Sequence, residues 1–294
     1  ALPKSQVYVL VSAIFMASFL SALDGTVVTT LLTVIASELN AVGQISWIAT
    51  AYLLSCAAFQ PLFGKLSDIF GRKPLLLLCC FCFAVGCLIC VTNSLVLLVI
   101  GRFVTGIGGG GLTALGTITM SDIVPLRQRG LFQGLANVCF GIGAATGGVL
   151  GGIVNDWLGW KYVFLLQVPL AILVFIAIWI NLNLPEGLPG LGAYGSDIKL
   201  KVKRVDFLGS LLLVSSLMGI MAAASFGGHE IAYSSKTFVG LLSGSLILLV
   251  LFAYVELYVL PEPVIPVELL TERTVLLSSL ANWFYTMGVF TLLF

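Results

Sequence analysis

Two charged side chains, Asp24 and Arg102, lie deep inside long apolar runs. A carboxylate in hydrocarbon is costly unless it is paired, protonated or hydrated, so an intramembrane Asp marks a candidate site for handling ions or protons. Asp24 falls about fifteen residues into the first run, roughly 22 Å along a helix, past the midplane and ~16 Å short of an end near Ile35. Arg102 falls about seven residues, or ~10 Å, from the corresponding end of its own run. Depths that close predict a direct or water-bridged pair. The structural alternative is an Asp24 bonded to Ser21 or to backbone.

A second constellation is Gly64-Lys65-Leu66-Ser67-Asp68-Ile69-Phe70-Gly71-Arg72-Lys73-Pro74. It reads as a short charged turn between the apolar runs Trp47 to Phe63 and Leu75 to Val91. Gly64 and Gly71 allow tight reversal. Asp68 can cap amides, and Arg72 can make a forked bond to a carboxylate. Asp122, in the later loop Ser121 to Gly130, sits at a helix end and invites an ion pair with Arg72. Arg127 and Arg129 share that loop. The plain alternative is a basic turn with exposed pairs, each worth ~0–1 kcal/mol.

Other patterns carry less chemistry. Gly106-x-Gly108-x-x-Gly111 matches a dinucleotide fingerprint, but it follows no strand and lies in an apolar run, so close helix packing is the better reading. The seven cysteines all sit inside apolar runs. No metal site, disulfide framework or cofactor is expected from them. His229, beside Glu230, reads as a surface residue, and Glu256 as a side chain reaching the interface. A single His and no catalytic constellation argue against an enzyme.

The elements that must hold these residues are membrane helices. Hydrophobic residues make up 59% and charged residues 9% of the chain, against about 25% charged in a soluble domain. Apolar spans are expected near 8–35, 45–63, 75–91, 95–119, 131–153, 162–180, 207–226, 237–259 and 275–294. With the N-terminus inside, eleven of the fourteen basic residues fall in inner segments, among them Lys65, Arg72, Lys73, Arg127, Arg129 and the Lys199–Arg204 cluster. Only Lys161 and Lys236 fall outside. That asymmetry fixes the orientation. Ala1-Leu2-Pro3-Lys4 has no starting Met and no cleavable signal, and is expected to be the trimmed end of a longer tail.

Every position of Gly-x-Leu-x-Asp-x-x-Gly-Arg-Lys is matched by Gly64 to Lys73 between the second and third spans. This resembles the signature loop of the major facilitator superfamily. Arg102 followed by glycines resembles that superfamily's proton-relay motif in the fourth helix. Leu23-Asp24-Gly25-Thr26-Val27-Val28 resembles the first-helix motif of its drug:proton antiporter branch, which typically continues Asn-Val-Ala-Leu-Pro where this chain has Thr29-Thr30-Leu31-Leu32-Thr33. Gly143, Gly147, Gly148, Gly151 and Gly152 match the antiporter pattern Gly-x-x-x-Gly-Pro-x-x-Gly-Gly, with Gly148 in place of its proline. Gly159-Trp160-Lys161-Tyr162-Val163-Phe164 with Pro169 is similar to that branch's lead into the sixth helix. Val205-Asp206-Phe207-Leu208-Gly209-Ser210 resembles its fourteen-helix form. Ser46 to Leu54, with Ala58 to Lys65, is similar to fungal vacuolar basic amino acid transporters.

The resemblance implies an all-α polytopic membrane protein. Its expected layout is a six-helix bundle over 1–182, a cytoplasmic linker over 183–204, two additional helices over 205–260 and the start of a second bundle over 261–294, the rest of that bundle missing. It implies a monomeric, proton-coupled antiporter working by alternating access, moving basic amino acids across the vacuolar membrane. Its partners are then a cationic amino acid or drug, protons and the lipid bilayer, with no nucleic acid. A multidrug efflux antiporter of the plasma membrane and a nutrient sensor on the same scaffold are the alternatives. Asp24 and Arg102 are the implied proton-coupling residues. Gly64, Asp68, Gly71, Arg72, Lys73, Asp122 and Arg129 are the implied conformational switch.

Overall fold

The computed structural model describes residues 4–39, 41, 44–183, 192, 201–202, 204–228, 231–258 and 272–293. Nine helices lie among them: α1 (Lys4–Glu38), α2 (Ile45–Phe70), α3 (Arg72–Cys90), α4 (Leu95–Ile123), α5 (Leu126–Leu158), α6 (Trp160–Asn181), α7 (Phe207–Phe226), α8 (Lys236–Tyr258) and α9 (Arg273–Leu293). Eight of them, α1 to α8, are long and apolar enough to cross a membrane. His229, Glu230, Lys199, Lys203 and the Pro261 to Pro266 segment lie outside the described residues.

Where the spans were expected, helices stand, but several run further. The charged stretch read as a turn is mostly helix: α2 continues through Gly64, Lys65 and Asp68 to Phe70 before α3 starts at Arg72. No residue between Lys65 and Phe70 breaks a helix, and charges are cheap once the helix has left hydrocarbon. The reversal is confined to Gly71, whose φ of 101° lies in the region that disfavours any side chain. Pro74 is tolerated because it falls in the first turn of α3, where its missing N–H has no intrahelical partner to lose. In the same way α4 carries Ser121 and Asp122 to Ile123, and only Val124-Pro125 separates it from α5.

Helices α1 to α6 pack together: α1 lies against α5, α6 and α4, α4 against α2 and α3, and α3 against α6. Apolar attraction between helices is weak in lipid, so close approach depends on small residues. On α4 a Cβ at Gly108 would strike Cys79 and Phe83 of α3, and one at Gly110 would stand 2.6 Å from the Cys56 carbonyl oxygen of α2. The glycine run is therefore a wedge between α2 and α3 rather than a phosphate cradle. Cys79, Cys80, Cys87 and Cys90 are buried on α3.

Polar contacts between helices join ends assigned to the same side of the membrane. On the outer side Trp160 Nε1 donates to Glu38 Oε2 at 2.6 Å, and Lys161 donates to Asn93. On the inner side Lys73 Nζ donates to Asn183 Oδ1 at 2.7 Å. Helices α7 and α8 pack on each other, and α7 also lies on α2. Their outer contact is Thr50 with Ser225 at 2.7 Å and Trp47 with Phe226 at 4.1 Å between ring centroids. At the inner end Asp206 caps α7 through the Gly209 N–H at 2.7 Å. Glu256, near the end of α8, is 4% exposed, with Oε2 3.2 Å from where a Gly209 Cβ would stand. The absent side chain at Gly209 is what lets α8 carry a carboxylate inward.

Candidate ion-pair site and cytoplasmic switch

Two apolar clusters meet along α1. One, toward the inner side, includes Leu10, Ile14, Leu20, Phe83 and Leu112; the other includes Leu23, Val27, Leu31, Leu98 and Phe164. Asp24 and Arg102 lie at their junction, 0% and 1% exposed. Arg102 Nη1 donates to Asp24 Oδ1 at 2.8 Å and to Oδ2 at 2.7 Å. The pair expected from helix depth is thus direct, with no water needed between the groups. Ser21, the alternative partner, bonds elsewhere: its Oγ reaches the Tyr52 hydroxyl at 3.2 Å and the Gly109 carbonyl at 3.3 Å.

Tyr52 and Gln167 belong to this site, and sequence reading missed both. The Arg102 guanidinium carbon lies 4.4 Å from the Tyr52 ring centroid, a cation–π distance. The Tyr52 hydroxyl donates to the Ser21 carbonyl oxygen at 3.1 Å, tying α2 to α1 one turn below Asp24. Tyr52 sits in Ala51-Tyr52-Leu53-Leu54, where an aromatic amid apolar residues gives no pattern to follow. Gln167 was the stronger clue, since it is a polar amide in the middle of a run otherwise free of polar groups from Val163 to Ile178.

The glycines of α5 press on the turn of α1 that holds Asp24. A Cβ at Gly143 would stand 2.5 Å from the Phe19 carbonyl oxygen, and one at Gly147 would strike Thr26 and stand 2.9 Å from the Leu23 carbonyl oxygen. Gly148 and Gly151 leave ordinary contact distances of 3.5 Å to Thr30, and Gly152 meets nothing within 4 Å. Of the five motif glycines, Gly143 and Gly147 alone are forced by space.

At the inner side Arg72 gathers three partners. Its Nη1 reaches Asp68 Oδ1 at 2.6 Å and also donates to Ser67, while Nε donates to Asp122 Oδ2 at 3.0 Å. Arg72 thereby bridges α2, α3 and α4. Its side chain is 8% exposed and that of Asp122 is 16%, whereas Asp68 is 61% exposed. The Asp122 arm is therefore the better shielded of the two. Lys73 turns away to Asn183, and Arg129 Nε donates to the Val124 carbonyl oxygen at 3.4 Å, capping the α4–α5 junction. Gly64 makes ordinary contact with Ile118 of α4, 3.9 Å from where its Cβ would stand.

The family model described as Major Facilitator Superfamily matches residues 14–294. The chain belongs to that superfamily. Among its relatives, the vacuolar membrane amino acid uptake transporter fnx2 of Schizosaccharomyces pombe is 41% identical over 279 residues, covering 95% of this chain and 47% of the relative. The multidrug resistance protein fnx1 of the same organism is 38% identical over 288 residues, 98% of this chain and 53% of the relative. Vacuolar basic amino acid transporter 1 of Saccharomyces cerevisiae is 39% identical over 282 residues, 95% and 48%. This facilitator chain thus spans about half the length of the curated relatives it matches. The crystal structure of a D-xylose-proton symporter shares its fold, with a TM-score of 0.53 at 18% identity over 84% of this chain and 67% of that one.

Proposed function

We propose that the protein carrying this chain is a proton-coupled antiporter that moves basic amino acids across the vacuolar membrane by alternating access. The observation that carries the reading is the fully buried Asp24–Arg102 pair within a facilitator fold. In facilitators the transport path runs at the interface between two halves. On this reading residues 1–182 are the first bundle, 183–204 the linker, 205–260 the two additional helices and 261–294 the opening of the second bundle. The enzyme reading finds no support among relatives named as transporters.

The chemistry follows from what each group can hold. Asp24 binds either a proton or, as a carboxylate, a cation; while it is ionised Arg102 compensates it. Protonation removes the charge that Arg102 faces, so proton uptake and release become linked to rearrangement of α1 against α4. Gly143 and Gly147 transmit that movement, because α5 touches α1 at Phe19, Leu23 and Thr26. Arg72, held by Asp68 and Asp122, makes a second brace that one conformation keeps and another breaks.

A carboxylate that trades protons for cations fits lysine or arginine as cargo, and the two relatives named for vacuolar amino acid transport support it. Efflux of cationic drugs is the second reading, supported by the relative named for multidrug resistance. Vacuolar vesicles carrying the whole protein should take up labelled lysine when their lumen is acidified. Uptake of a lipophilic cation instead of lysine would select the second reading.

A further inference from the structure

The reversal at Gly71 has another piece of chain seated on it. Gly192, in the segment that follows α6, has a φ of 94°, a region that disfavours any side chain. A Cβ at Gly192 would stand 2.8 Å from the Ile69 carbonyl oxygen, the Phe70 carbonyl carbon and the Gly71 nitrogen. All three are backbone atoms, so no change of rotamer relieves the clash. Conformation and space each require glycine here. A second contact lies two residues past Gly71, in α3. Lys73 Nζ donates to Asn183 Oδ1 at 2.7 Å, and Asn183 Nδ2 donates to the Ile180 carbonyl oxygen at 3.0 Å. Asn183 thereby ties the end of α6 to the start of α3.

Gly71 is followed directly by Arg72, whose side chain bridges Asp68 on α2 and Asp122 on α4. The reversal cannot move without carrying Arg72 with it. Nor can it move toward Gly192, because that contact is backbone against backbone and has no side chain to yield. Close-packed contacts of this kind hold one arrangement or another rather than deforming smoothly. The Arg72–Asp122 bond and the Gly192 seat therefore share one short stretch of chain, Ile69 to Arg72, and the state of one constrains the other.

We propose that Gly192 is a positioning residue for the inner switch. Seated on the Gly71 reversal, with Asn183 held by Lys73, it stabilises the conformation in which Arg72 bonds Asp122, and it leaves its seat when that bond breaks. The segment after α6 is then a working part of the switch rather than a passive tether. A side chain at position 192 opposes the seat, so the braced conformation becomes harder to re-form in each cycle. This proposal rests on the alternating-access reading above.

The test is a double-mutant cycle in the whole protein, with labelled lysine uptake by vacuolar vesicles as the readout. Gly192→Ala should lower kcat at least about five-fold, the low end of what an overpacked contact costs, and leave KM within about two-fold. In an Asp122→Asn background, where the bond it supports is already gone, the same substitution should change kcat by less than about two-fold. A wild-type kcat in Gly192→Ala overturns the proposal, as does an equal loss in both backgrounds, which a merely structural glycine would give. Should Gly192→Ala not reach the membrane, Asn183→Ala decides, since it removes one exposed hydrogen bond and is expected to lower kcat about two-fold. A loss confined to the background that keeps Asp122 supports the role, and no loss or an equal one overturns it. The same cycle read in melting temperatures in detergent needs no transport, and so separates this claim from the functional reading. Shifts that are smaller together than their sum support the coupling, and additive shifts overturn it whatever the cargo proves to be.

Discussion

The Arg102 guanidinium carbon stands 4.4 Å from the Tyr52 ring centroid while Nη1 binds both oxygens of Asp24. Tyr52 therefore braces the same cation that Asp24 holds. A desolvated cation–π contact is worth ~2 kcal/mol, and a hydroxyl bond ~1 kcal/mol. Tyr52→Leu, which loses both, is expected to lower lysine uptake about 150-fold and Tyr52→Phe only about five-fold. Uptake rates normalised to membrane-inserted protein check this. Equal losses in the two variants would assign the effect to the hydroxyl rather than to the ring.

Arg102→Lys keeps the charge but loses the planar guanidinium, whose Nη1 reaches both Asp24 oxygens and whose carbon lies 4.4 Å from the Tyr52 ring centroid. The variant should insert normally and accumulate lysine at least about ten-fold more slowly, as losing one well-formed charged hydrogen bond implies. Wild-type accumulation would mean that only the charge at this depth matters.

The inner brace is asymmetric. Asp68 is largely exposed and Asp122 is not, so removing charge at Asp68 should alter stability by less than ~1 kcal/mol. Asp68→Asn is accordingly expected to fold and bind substrate while turning over slowly, and Asp122→Asn should in addition lower the melting temperature in detergent. Thermal melts paired with turnover rates distinguish the two. A variant Asp68→Asn that fails to fold would make this residue a structural cap.

The glycines of α5 separate in the same manner. Gly147→Ala drives a Cβ into Thr26 and the Leu23 carbonyl, next to Asp24, whereas Gly152→Ala meets open space. The first should cost ~1–3 kcal/mol of stability through overpacking. The second should be neutral or stabilising by up to ~1 kcal/mol, since Ala is the better helix former. Stability measured on both variants checks the contrast, and an equally damaging Gly152→Ala would contradict it.

Much of the scaffold was legible because hydrocarbon permits so few solutions. Runs as long and apolar as Leu75 to Val91 must be helices. The Asp24–Arg102 pair was legible for the same reason, since two opposite charges at similar depth have few partners but each other. Helix ends were less so. Lys65 and Asp68 looked like a turn because their charges end the apolar run, yet nothing there stops the backbone before Gly71. Tyr52 and Gln167 were overlooked because their contribution is one of direction: a ring facing Arg102 and an amide buried on the inner face of α6 depend on how α2 and α6 are rotated, and local composition does not specify that. The burial of Glu256 was not legible on the same ground, since it depends on the bare face of Gly209 on another helix.

The central claim is that Asp24 exchanges the proton that drives transport. Lysine accumulation by vacuolar vesicles containing the whole protein, measured across a series of imposed pH gradients, tests it most directly. Asp24→Asn preserves the shape of the side chain and removes its titration, and it leaves Arg102 buried opposite a neutral amide, so membrane insertion is verified in the same preparation. The account predicts no gradient-driven accumulation in an inserted Asp24→Asn variant. Accumulation with the wild-type dependence on pH would show Asp24 to be structural and the coupling site to lie elsewhere.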